Sequence, residues 1–390
     1  MKRDLTSGSV MKNLLFFSLP YLLSFFLQTL YGMADLLIIG QFGSVADTTA
    51  VSVGSQVMHM LTVMIVGLAM GATVNIGQAV GGKDSRKAAL FTGNTVTLFM
   101  GLSVTLTLLL LILRHDIVSA VSTPADAVAG TVNYLTICFI GIPFITAYNI
   151  ISAVFRGMGD SKSPMYFIAV ACAANIALDY LFIGALGMGP AGAALGTTLS
   201  QAISVVISLI FVKRRKTEFA LKKADLKPDK QITGKILKIG VPVAMQDGFI
   251  QIAFMVITVI ANRRGLNDAA AVGIVEKIIG FLFLVPSSML SAVSALGAQN
   301  IGAKKPERAK KTLLYAIFIA AGFGGTVAVI MQFLSRGAVS LFTDSAAVIR
   351  LGGEYLRGYA WDCLFAGIHF AFSGYFCACG KSGISFMHNI

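Results

Sequence analysis

The chain alternates long apolar runs with short polar breaks rich in glycine. The runs are about 20 to 30 residues long, enough for a helix rising about 1.5 Å per residue to cross a hydrocarbon core of about 30 Å. Reading the runs against the breaks predicts helices near residues 13–40, 50–80, 88–113, 127–155, 163–184, 190–212, 236–261, 268–300, 309–334 and 346–378. The first run follows only twelve residues, is too long for a signal-peptide core and lacks a cleavage site at its end, so it is read as a retained span. The longest polar stretch, Lys213 to Lys238, separates two apolar halves. The pattern predicts an all-α polytopic membrane protein with an N-terminal six-helix bundle (1–212), a basic cytoplasmic linker (213–235) and an incomplete C-terminal bundle (236–390).

Composition supports the same class. Of 390 residues, 56% are hydrophobic and 13% charged, with a mean hydropathy of +0.79. A soluble fold carries roughly a quarter of its residues charged, so that class is excluded. The net charge of +13 does not point to nucleic acid, because the basic residues sit in the breaks and are not gathered on one folded face. Their distribution sets orientation. Counting each loop with the first turn of the helix that follows it, the N-terminal tail and the loops after even-numbered helices carry 24 Lys and Arg, against 4 in the other loops, which predicts a cytoplasmic N-terminus in the plasma membrane. Cys138, Cys172, Cys363, Cys377 and Cys379 lie in apolar runs without CxxC spacing, so neither zinc nor a disulfide is expected. His59, His115, His369 and His388 share no spacing and read as structural residues. Gly187-x-Gly189-x-x-Gly192 matches a dinucleotide fingerprint only formally, since no strand precedes it. No cofactor is expected.

The halves repeat each other. Pro20 corresponds to Pro242 and Gly43 to Gly265 at a shift of 222. After a small indel, QAVGGKDSRKA from Gln78 corresponds to QNIGAKKPERA from Gln299 at a shift of 221, followed by Tyr134 with Tyr355, Phe155 with Phe376 and Gly159 with Gly380. The shift spans six helices, an even number, so both copies enter the membrane in the same sense as parallel repeats. By this register Ile390 matches Ala169, and the second copy is expected to hold four helices and the start of a fifth, about 43 residues short of the first.

Ionisable residues within spans are costly and hence functional candidates. Asp35 and Asp179 fall at a shared depth, about 9 Å from the outer ends of their helices. Asn175 lies one turn before Asp179 on the same face, and Thr197 reaches a similar level on helix six. Two carboxylates, an amide and a hydroxyl suit a hard cation such as Na⁺, or a proton shared between carboxyls. In the second half position 257, the counterpart of Asp35, is Ile257. Asp247 and Asp362 fall near mid-membrane, and Glu276 lies nearer the outer end of its helix beside Lys277. These three acids are substrate-cavity candidates. Adjacent Glu276 and Lys277 point about 100° apart and are expected to find separate partners, while Asp362 has a local pair with Arg357 or a backbone group as an equal reading.

Jointly, Pro20, the segment DLLIIGQFG from Asp35 to Gly43, the paired loops at Gln78 and Gln299, RGMGDSKSP from Arg156 to Pro164 and the turn GALGMGPAGAALGT ending at Thr197 resemble the bacterial multidrug and toxic compound extrusion (MATE) transporters along the whole chain. The resemblance implies two helical bundles around a central cavity, and a monomer exporting cationic, amphipathic small molecules in exchange for Na⁺ or H⁺. It also implies a DinF-like cation site at Asp35, Asn175, Asp179 and Thr197. The helix-seven acid of NorM-like members would fall near Ile250 or Gln251 and is not matched. A flippase for lipid-linked oligosaccharides or other lipids is the alternative within transport, and it would call for a more cationic cavity.

Overall fold

In the computed structural model, the described residues are 4–214 and 221–389. The first three residues of the basic tail, linker residues 215–220 and Ile390 lie outside them. The described chain is helical almost throughout. The first half contains α1 (Val10–Phe42), α2 (Val45–Gly81), α3 (Ser85–Ala120), α4 (Val128–Gly157), α5 (Lys162–Asp179) and α6 (Gly189–Arg214). The second contains α7 (Lys230–Arg264), α8 (Leu266–Leu282), α9 (Leu284–Gly302), α10 (Pro306–Ser340), α11 (Ala346–Tyr359), α12 (Asp362–Ala378) and α13 (Ser382–Asn389). Among the described residues, nine helical stretches are long and apolar enough to cross a membrane, with α8 and α9 counted as one.

Within a bilayer a helix satisfies its own backbone except at the ends, so the ends show where sequence sets the boundaries. Ser44 and Asp47 form a reciprocal cap on α2: the Asp47 amide donates to Ser44 Oγ at 3.1 Å and the Ser44 amide donates to Asp47 Oδ2 at 2.9 Å. Asp84 caps α3 through the Lys87 amide, and Asp229 caps α7 through the amides of Gln231 and Ile232.

Two expected helices are interrupted. The stretch 268–300 breaks at Phe283, three residues before Pro286, which has no N–H to offer the preceding turn. The stretch 346–378 breaks at Ala360 and Trp361. Gly358 weakens the end of α11, and Asp362 in the first turn of α12 favours a new start there.

The repeat is visible in the backbone. Lys83 and Lys304, equivalent at a shift of 221, both adopt φ of +57°, and Gly159 and Gly380 adopt +83° and +71°. The left-handed region is costly for lysine, and its occurrence at both equivalent positions reflects the same tight turn used twice. In both copies the lysine amide bonds back to the residue three before it at 3.0 Å, Val80 and Ile301 respectively.

The halves meet where α2 packs on α7 and α9 and where α1 packs on α9. Hydrogen bonds joining them gather at the end that carries the basic loops. Asn75 Nδ2 donates to the Lys235 carbonyl at 3.3 Å. The N-terminal tail is strapped to the second half: Lys305 Nζ donates to the Thr6 carbonyl at 2.8 Å, and Arg308 donates to the carbonyls of Gly8 and Ser7 at 2.9 and 3.1 Å. The linker is held against α3, where Asn94 Nδ2 donates to the Asp225 carbonyl and Asn94 Oδ1 accepts from the Asp229 amide at 2.7 Å.

Candidate functional site

Asp35 lies two turns before the C-terminal end of α1, Asn175 and Asp179 in the last two turns of α5, and Thr197 in the third turn of α6. The structure brings these four side chains together. Thr197 Oγ1 donates to Asp35 Oδ2 at 3.1 Å, and the Asp35 carboxyl also faces the side chains of Asp179 and Asn175. Asp35 is 4% exposed, and Asn175 and Asp179 are fully buried. Asp35 Oδ1, both Asp179 oxygens and both polar atoms of the Asn175 amide have no hydrogen-bond partner among the described residues. Buried polar atoms are nearly always satisfied, so five orphans on three clustered residues, four of them acceptor oxygens and one the Asn175 Nδ2 donor, set this cluster apart. Two carboxylates side by side in a low-dielectric surrounding repel each other unless a cation or a shared proton lies between them.

Local structure holds the cluster in place. Beyond Asp179 the helix widens into a π turn over Tyr180–Ala185, a distortion frequent at functional sites. At Gly196, next to Thr197, a β-carbon would overlap Asp179 Oδ1, so glycine lets α6 approach the carboxylate. Tyr31, one turn before Asp35, and Gln201, one turn after Thr197, extend the polar lining, with Tyr31 directed at Gln201. Tyr134 and Cys138 of α4 are also near Asp35.

In the second half the three candidate acids do not form one cluster. Glu276 Oε1 accepts from Thr258 Oγ1 at 3.0 Å, a partner separate from Lys277 as its position implies. Tyr355 lies near Glu276, Tyr359 meets Asp362, and the two tyrosine rings pack edge-on at 5.9 Å, so the pair spans the space between the acids. Asp362 thus turns to Tyr359 rather than to Arg357. Asp247 stands apart, pressed against α2 at Gly67, and makes no hydrogen bond to the described residues. His369 and His388 stack at 4.5 Å, a pairing that their sequence spacing does not suggest because they lie on different helices.

The MatE family model matches the chain twice, over residues 20–181 and 242–390. The chain belongs to the MATE family. It is a polytopic transporter of the multidrug and toxic compound extrusion type. Relatives of this MATE chain include "Probable multidrug resistance protein YpnP" of Bacillus subtilis (strain 168), 30% identical with 97% of this chain and 84% of the relative covered. "Probable multidrug resistance protein YoeA" of the same organism is 28% identical, with 92% and 79% covered. In fold, the MATE chain is similar to a solved MOP superfamily transporter from Pyrococcus furiosus, with a TM-score of 0.91 at 24% identity and 98% and 86% of the two chains covered.

Sequence reading of this MATE transporter did not single out Tyr31, Gln201 or Gly196 for the site. A signal for the first two exists in the four-residue spacing from Asp35 and Thr197, which puts each on the same helix face as its neighbour. Gly196 carries no such signal, because its role is the space it leaves.

Proposed function

We propose that this MATE chain exports cationic, amphipathic compounds by antiport, using a DinF-like site at Asp35, Asn175, Asp179 and Thr197 to bind Na⁺ or H⁺. The observation that carries the reading is the buried pair of carboxylates with orphaned oxygens, tied to α6 through Thr197. Antiport requires that ion and drug favour different conformations, since a ligand shifts an equilibrium only by its differential affinity. An arriving cation or proton removes the repulsion between Asp35 and Asp179 and draws α1, α5 and α6 together. Pro20 gives α1 a point at which to bend, because the ring leaves the preceding turn short of one hydrogen bond. The cavity then narrows and the drug leaves outward.

Glu276 and Asp362 in the second half, with Asp247 nearer α2, supply negative charge for a cationic substrate. Their sign favours drug export over transport of a pyrophosphate-linked lipid, which calls for cations. The gathering of basic loops at the end holding the N-terminal tail supports a plasma-membrane protein with that end in the cytoplasm.

The test is counterflow in proteoliposomes: an imposed Na⁺ or H⁺ gradient should drive uptake of a cationic dye, and dye efflux should move the ion in the opposite direction. Asp35→Asn should insert normally and bind dye but lose gradient-driven transport. Undiminished ion-driven export by that variant rules the site out.

A further inference from the structure

The halves are joined by two hydrogen bonds that are copies of one another. Gln78 Nε2, in the last turn of α2, donates to the carbonyl of Ala378 at the end of α12, at 2.8 Å. Gln299 Nε2, in the last turn of α9, donates to the carbonyl of Gly157 at the end of α4, also at 2.8 Å. The repeat shift of 221 carries Gln78 onto Gln299 and Gly157 onto Ala378, so the second bond is the first with the halves exchanged. The adjoining backbone follows the same exchange. A β-carbon at Gly81 would overlap the Gln299 carbonyl, and one at Gly302 would overlap the Gln78 carbonyl. The ends of α2 and α9 therefore lie backbone to backbone across the pseudo-twofold axis, an approach that only glycine permits at these two positions.

The chemistry suits a contact that forms and breaks. The acceptors are last-turn carbonyls, which have no donor within their own helices. Each glutamine therefore caps a helix of the opposite half. When the halves separate, water can take over both donor and acceptor, because this end of the molecule opens on the basic loops. A neutral amide bonded to a carbonyl is replaced by water at small net cost, whereas a buried ion pair leaves a stranded charge when it parts. Because the two bonds are related by the axis, rigid separation of the halves breaks them in the same movement.

We propose that Gln78 and Gln299 form a reversible clasp that holds the two halves together at the N-terminal end of the transporter, and that its release opens the cavity towards that face. The consequence for transport rests on the antiport reading above, while the clasp itself rests on the paired bonds.

The test is hydrogen exchange measured by mass spectrometry on the full chain in lipid nanodiscs, without drug or ion gradient, so that it reads separation of the halves independently of coupling. Gln78→Met and Gln299→Met keep length and bulk but remove the N–H donor. Breaking the Gln78 bond should speed exchange about three- to tenfold around its own acceptor at 375–381 and also around the distant acceptor at 154–160. Gln299→Met should do the reverse, and the double variant should show about the product of the two. Acceleration confined to the mutated bond's own acceptor, or none, overturns the proposal. Should a methionine variant fail to fold, Gln299→Glu offers a second reading. Its carboxylate cannot donate at pH 8, but the protonated acid can at pH 5. Exchange at 375–381 should exceed wild type measured at the same pH in the first case and approach it in the second; a difference independent of pH overturns the clasp.

Discussion

Gly196 lies directly against Asp179, so that a β-carbon on α6 at this position would overlap the carboxylate oxygen Oδ1. Alanine is the better helix former by about 1 kcal/mol, so Gly196→Ala favours α6 by intrinsic propensity while displacing the carboxylate from Asp35. The variant should insert and purify as wild type yet bind the coupling ion at least about tenfold more weakly, the effect of one lost interaction with a charged group. Ion-dependent thermal stabilisation measures this directly. An unchanged midpoint of the ion titration would show that Asp179 does not need its present place.

Thr197 is the only one of the four clustered residues with a side-chain hydrogen bond to Asp35 that reaches normal geometry, at 3.1 Å. Thr197→Val removes the hydroxyl and preserves the shape, and a hydrogen bond to a charged acceptor is worth about 1.5–3 kcal/mol. Ion affinity in the same titration should fall about tenfold or more, and Thr197→Ser, which keeps the donor, should stay close to wild type. Equal losses in both variants would assign the effect to packing instead of the bond.

The four residues come together because their spacing is a local property that sequence carries well. Asp35 and Asp179 share a level because each counts back a similar number of residues from the C-terminal end of its helical stretch, and Asn175 follows from one helical turn. The repeat was legible for the same reason, since equivalent turns need equivalent residues, and the matching φ of Lys83 and Lys304 expresses that need. What was not legible depends on packing between helices. Gly196 matters for the atom it faces, and the stacking of His369 on His388 joins α12 to α13.

Asp225 anchors the linker to α3. Its Oδ2 accepts from the Lys222 amide at 2.9 Å and its Oδ1 pairs with Arg86. Chiefly the Lys222 amide, and then Arg86, hold its carboxyl below the ordinary carboxylate range. A carboxyl depressed in the folded state contributes stability fully above its unfolded value of about 3.9, and loses it as pH falls through the folded value. The linker should therefore stay docked from neutral pH down to about 4 and detach below that, seen as faster hydrogen exchange in 221–229. At neutral pH, Asp225→Ala should speed trypsin cleavage after Lys222 and Lys223 several-fold. Arg86→Ala should do so less, since the Arg86 side chain is 58% exposed and the Lys222 bond survives. Equal cleavage of all three proteins would remove Asp225 as the anchor.

Replacing Glu276 should separate substrate binding from ion coupling. It sits in the second half, bonded to Thr258 and adjoining the Tyr355 and Tyr359 pair, and has no contact with the Asp35 cluster among the described residues. Glu276→Gln keeps the shape and can still accept from Thr258, so only the charge is lost. A cationic dye attracted by that charge through a partly hydrated cavity should bind about three- to tenfold more weakly, consistent with about 1 kcal/mol for a pair of charges a few ångströms apart in high dielectric. A neutral dye of similar shape should be unaffected, and so should the ion titration that reports on Asp35. If both dyes weaken together, the residue supports the fold of α8 against α7 and contributes no charge selectivity. If the ion titration also moves, the two halves share one site and the division of labour proposed for them fails.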